Sequence, residues 1–171
     1  MAMTLIQRIN VTTSANLAYS FTSIPQTYTD LFLVITSQSA GTNGDALFIQ
    51  MNSDTGNNYS GLYLRYNQSV GPNGGYQTAN AYINPAPSPG QTTYPNYAGG
   101  TTVYFPNYTN TSIAKGLNSR GGTSLADSTI YSTTGIIAEQ WSGTAAISTI
   151  TLSGYGLYPT SNSTYTLYGV S

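Results

Sequence analysis

Five carboxylates hold almost all the acid-base chemistry this chain could perform: Asp30, Asp45, Asp54, Asp127 and Glu139. Histidine and cysteine are both absent, which removes the commonest general base, the thiolate nucleophile and the soft metal ligands. A Ser-His-Asp arrangement therefore cannot be assembled, and no Gly-rich phosphate loop with an attendant lysine is present. Glycosidase-type hydrolysis would need two carboxylates flanking one bond, and strand alternation does not say which of the five meet. Asp30 reads as a strand-start or capping residue. Glu139, beside Trp141, reads as a charge that keeps a sheet edge from pairing.

The segment Asn52-Ser53-Asp54-Thr55-Gly56-Asn57-Asn58 has the look of an oxygen-ligand calcium loop. It carries one carboxylate and no Glu near the twelfth position, too little charge for a tight site. A hairpin turn built on Asp-x-Gly is the expectation. Six Asn-x-Ser/Thr sequons, at Asn10, Asn58, Asn67, Asn107, Asn110 and Asn162, match what chance supplies in a chain this rich in Asn, Ser and Thr. No metal, no cofactor and no catalytic residue is expected, and the chain reads as a non-enzymatic protein.

Charged residues make up 5% of the 171, against about a quarter in an ordinary soluble protein. The four cations, Arg8, Arg65, Lys115 and Arg120, form no basic run, and the net charge is −1. Nucleic acid and anionic lipid surfaces are thus poor partners. Little long-range repulsion keeps copies apart, which suits a member of a multicopy assembly. No targeting segment or membrane span is expected, since the longest aliphatic-aromatic run is Leu31 to Ile35. The 16 tyrosines offer broad amphipathic contact at low entropic cost, suited to protein interfaces or sugar platforms.

The elements that must position these groups are strands. Leu17, Tyr19 and Phe21 alternate with small polar residues, and Leu31 to Ile35 is a core strand. Further strands are expected at Leu5 to Val11, Ala46 to Met51, Gly61 to Tyr66, Thr101 to Phe105, Ser128 to Tyr131, Gly135 to Trp141, Ala145 to Leu152 and Thr164 to Val170. Turns are expected at Gly41 to Gly44, Asp54 to Gly56, Gly71 to Gly75, Gly121-Gly122 and Pro159 to Ser163. No 3.6-residue apolar stripe appears, although Pro25 to Asp30 and Ala114 to Leu117 could each hold a helical turn. The pattern predicts an all-β fold: one domain over residues 1–171, a single antiparallel β-sandwich of jelly-roll type. Asn84 to Gly100, with Pro85, Pro87, Pro89 and Pro95, is expected to be a long loop. That loop and the N-terminus, through Met1, Met3, Tyr94 and Tyr97, are the candidate interface.

Four stretches carry a resemblance. Phe21 to Leu31, with its Ser23-Ile24-Pro25 turn, looks like the opening strand-turn-strand of a jelly-roll-type domain in virion structural proteins of tailed phages. The Asn-rich run Asn52 to Ser60 is similar to that group's hairpin. Trp141 to Leu152 and Asn162 to Val170 resemble its closing strands. The resemblance implies a capsid decoration (cement) protein, made in the host cytoplasm and carried on the capsid surface of the virion. Its implied partners are further copies of itself, as a homotrimer, and the major capsid protein. The alternative it leaves is a tail or fibre module that binds a host surface glycan or receptor.

Overall fold

The structure, a computed structural model, describes residues 2–13, 18–40, 45–67, 71–88, 95–123, 133–154 and 158–171. These form β1 (Met3–Asn10), β2 (Ala18–Phe21), β3 (Asp30–Ser37), β4 (Asp45–Met51), β5 (Tyr59–Asn67) and β6 (Gly71–Asn80). There follow β7 (Ile83–Ser88), β8 (Gly99–Phe105), β9 (Lys115–Thr123), β10 (Thr133–Trp141), β11 (Ile150–Gly154) and β12 (Thr164–Val170). No helix occurs among the described residues. All pairings are antiparallel, in sheets of order β1-β12-β3-β8-β9-β10-β5-β6 and β2-β11-β4-β7.

With β5–β6 and β9–β10 set aside, the remaining strands give β1-β12-β3-β8 facing β2-β11-β4-β7. That is a jelly roll, two interlocked Greek keys. The two hairpins are insertions into it. They extend the first sheet beyond β8, and the inner face of this extension covers β7.

Period-two patterning sets the core. Leu31, Leu33 and Ile35 point inward from β3, and Leu33 stands opposite both Leu167 and Val103. Phe21, Ile49, Met51, Ile150 and Leu152 close the core from the second sheet. The expected common core of Leu33 and Leu167 is present, as is the inward Phe21; Leu17 and Ser128 to Tyr131 lie outside the described residues.

Several expected boundaries differ. Gly71 to Gly75 is not a turn but the start of β6, and Gly121-Gly122 lies inside β9. Neither Pro25 to Asp30 nor Ala114 to Leu117 is helical. The strand expected from Ala145 begins only at Ile150. Asn52 accounts for this: its Oδ1 accepts from the Ser148 and Thr149 amides at 2.9 and 3.1 Å, and its Nδ2 donates to the Ala146 carbonyl at 2.8 Å. A side chain that occupies backbone groups in this way competes with the ladder. The first strand also begins earlier than expected, at Met3, because the Ala2 and Ser171 backbones exchange bonds and seat the end of β1 on β12.

The long proline loop is corrected too. Its first part is β7, in which Pro87 pairs with Ala46 and Ala86 with Leu47. β7 is an edge strand, where a missing amide donor is tolerated. Its other end is fastened by Gln38, which is fully buried. Gln38 Nε2 donates to the Pro95 and Tyr97 carbonyls, and Oε1 accepts from Thr160 Oγ1 and Asn162 Nδ2. Gln38→Ala should lower stability by about 1–3 kcal/mol through these orphaned groups. Urea unfolding would register it, and an unchanged midpoint would show that the network contributes nothing.

Candidate functional site: the outer face of the sheet extension

Alternation in β5 puts Tyr59, Tyr63 and Arg65 on the inner side and Leu62, Leu64 and Tyr66 on the outer side. β10 sends Ile137, Glu139 and Trp141 inward and Ile136 outward. Leu62, Leu64, Tyr66, Tyr76 and Ile136 are each between 52% and 74% exposed. Register joins them: Leu64 stands opposite Ile136, Leu62 opposite both Ala138 and Tyr76, and Tyr66 opposite Pro72. Glycine at position 74, opposite Leu64, leaves the leucine uncovered. The result is one contiguous apolar face on a twisted sheet.

Two hollows flank this ridge. One, about 700 Å³, runs between Leu64, Tyr66 and Ile136 and the Thr102 and Arg120 side, over glycine backbone at 100, 121 and 135. The other, about 480 Å³, lies by Leu62, Tyr76, Thr78 and Gln140. Among the described residues Arg120 is the charge on this face. Arg65 is turned to the inner side, its guanidinium 4.5 Å from the centre of the Tyr63 ring.

The carboxylates are elsewhere, and each described one has a local task. Asp30 starts β3 as expected, accepting from Tyr104 Oη at 2.6 Å and the Asn107 amide at 2.7 Å. Asp54 accepts from Trp141 Nε1 at 2.6 Å, from the Gly56 amide at 2.9 Å and from Asn58 Nδ2. The indole N–H is the main reason its carboxyl sits below the usual value. The Asp54 carboxylate and the Asn52 amide oxygen of the calcium-like segment are thus engaged by the chain itself.

Glu139 corrects its expectation. β10 lies between β9 and β5, so this is no edge charge: Glu139 is 7% exposed, facing inward. Desolvation pushes its pKa up to about 7, opposed by the Asn84 amide, which Oε1 accepts at 3.1 Å, and by the Arg65 charge. Lys115 is also buried and donates to the Ile113 and Thr144 carbonyls, while burial lowers its pKa. The side chain of Asp45, and Asp127 altogether, lie outside the described residues. Among the described residues no three metal-ligating side chains cluster.

Of the expected interface residues, Met3 and Tyr97 are described, and they lie near opposite ends of β3. Met3 is exposed on β1 opposite Val170, which in turn pairs with Asp30 at the start of β3. Tyr97 is exposed beyond the far end of β3, where its carbonyl meets Gln38. Met1 and Tyr94 lie outside the described residues. The apolar face was not anticipated. Its signal was that β5 reads Leu-Tyr-Leu-Arg-Tyr, large on both faces, which a half-buried strand has no need to be.

Together these features define a jelly-roll β-sandwich with an inserted, apolar-faced sheet extension. No family model and no curated protein matches the sequence. Among solved structures it is similar to two of an alginate lyase, both double mutants. One, in complex with alginate tetrasaccharide, shares 12% identity over 82% of this chain and 69% of that chain, at a TM-score of 0.26. The other, with alginate trisaccharide, shares 12% identity over 84% and 72%, at a TM-score of 0.28. Those proteins are enzymes, and the expectation of a chain without enzymatic activity is withdrawn on that finding. At these scores the likeness transfers neither an activity nor a residue role.

Proposed function

We propose that this chain is a capsid decoration (cement) protein of a tailed phage, attached to the major capsid protein through the outer face of the sheet extension. The observation that carries the reading is the contiguous face of Leu62, Leu64, Tyr66, Tyr76 and Ile136. Monomeric proteins rarely leave such a patch bare, and an apolar centre ringed by polar residues is the anatomy of a protein interface. The jelly roll beneath it agrees with the virion-protein resemblance, and the scarcity of charge suits a subunit packed among many copies.

Attachment would draw on shape and apolar contact, since Arg120 is the charge on the face. Binding to undecorated capsids should therefore persist in salt well above physiological strength. Leu64→Asp with Ile136→Asp should weaken it about tenfold or more, while the melting temperature of the isolated protein stays put because both side chains are already in water. Co-sedimentation with purified capsids measures this. Undiminished attachment would remove the face from the interface. Loss of binding to a host surface polysaccharide instead, with a handful of copies per particle, would move the protein to a tail or fibre.

A further inference from the structure

Among the described residues four strands end the two sheets, and three of them are blunted. β2 is four residues long. β7 carries Pro85 and Pro87. β6 carries Pro72 and three glycines, with left-handed backbone at Gly71 (φ 79°) and Ala79 (φ 55°). Short length, proline and irregular backbone are the devices by which sheet edges avoid pairing. β1 differs. It is eight residues long, has no proline, and bears one charge, Arg8. Among the described residues its only strand neighbour is β12. Its bulge between Leu5 and Gln7 leaves paired segments on both sides. Met3 and Leu5, on its outward side, are 50% and 54% exposed, whereas Ile6 and Ile9 pack on the core.

We propose that the free edge of β1 pairs antiparallel with β1 of a second copy, joining two eight-stranded sheets across a two-fold axis. A strand that pairs with itself must do so antiparallel, so the contact is isologous and closes at two copies. Self-pairing is compatible with the charges. In the register that matches the full strands, Leu5 faces the other copy's Arg8, and the two arginines stand roughly 10 Å apart along the strands. That is about one screening length at ordinary ionic strength. A net charge of −1 adds little repulsion between copies. Met3 and Leu5 of each copy would cover the seam. The surface is separate from the capsid-facing patch, which lies at the other end of the same sheet, so a dimer could present two patches. A trimer would need a different surface.

Sedimentation velocity on the whole chain tests this. The parent should be dimeric at about 100 µM, and Met3→Lys with Leu5→Lys should return it to monomer by setting like charges along the seam. Circular dichroism should be unchanged, since both positions face water. Thr4→Lys, also exposed, serves as a second variant if the pair folds poorly. Amide exchange over residues 3–10 should slow as parent concentration rises. A parent that stays monomeric, or a folded variant that dimerises as well as the parent, overturns the proposal. So does a dimer that Leu64→Asp dissolves and the β1 variants do not.

Discussion

Trp141→Ala is expected to cost about 3–5 kcal/mol, the usual penalty for emptying a large aromatic site in a core. Trp141 ends β10 with 4% of its surface exposed, flanked by Tyr59 on β5 and Lys115 on β9. A Cβ on Gly143 would fall 2.2 Å from the indole Cζ2, so the chain turns directly under the ring. The indole N–H meets Asp54, and the Asp54 carbonyl accepts the Tyr59 hydroxyl at 3.0 Å. The ring therefore joins the extension to the loop after β4. A typical domain has about 5–15 kcal/mol of stability in all, so the alanine variant should show a much lower denaturation midpoint. Equal midpoints would mean the ring is not packed as described.

Trp141→Phe separates the two contributions, keeping most of the ring volume and losing the donor. Asp54 has a folded-state pKa below its ordinary 3.8, first because of Trp141. Stability from that bond is present above the unfolded value and is lost as pH falls through the folded one. The phenylalanine variant should thus lie below the parent at pH 7 and draw closer to it in acid. A gap of constant size would assign the loss to packing alone.

What sequence disclosed, and what it hid, follows from how many partners a residue's role requires. β3 was legible because five consecutive apolar residues have no other soluble use, and the place of Asp30 at its start followed with it, although its partners, Tyr104 and Asn107, lie far along the chain and are not legible locally. The indole of Trp141 is packed and its N–H is satisfied by Asp54, the ordinary use of a large aromatic in a strand. By contrast β6, β7 and β9 have strand geometry imposed by their neighbours: Gly-Pro-Asn-Gly-Gly, Ile-Asn-Pro-Ala-Pro and Leu-Asn-Ser-Arg-Gly-Gly carry little strand propensity of their own. Without those strands β10 reads as an edge and Glu139 as its guard. The apolar face was lost for the same reason. Leu62, Leu64 and Ile136 become a surface only when β5 and β10 are known to lie side by side outside the jelly roll.

Glu139 supplies the clearest dependence on pH. From β10 it faces inward between Gly61 and Leu117. Gly61 is open at this point because a Cβ there would lie 2.9 Å from Glu139 Cγ. Oε1 has the Asn84 amide, but Oε2 is buried with no hydrogen-bond partner among the described residues. The charged form is therefore poorly solvated, and the folded-state pKa rises from 4.5 to about 7. Below pH 4.5 both folded and unfolded chains carry the proton and the carboxyl imposes no charge penalty. Between those values the folded chain holds a proton that the unfolded chain has released, so stability falls as pH rises; above about 7 the loss is complete. At about 1.4 kcal/mol per pKa unit, the whole span is on the order of 3 kcal/mol. Glu139→Gln removes the charge and keeps the shape. It should be more stable than the parent by on the order of 1–3 kcal/mol at pH 8, and the advantage should vanish near pH 4.5. Urea midpoints for both proteins from pH 4.5 to 8 measure it, since other titrating groups cancel in the difference. A difference that does not change with pH would mean that Glu139 is solvated in the folded protein and ionises normally.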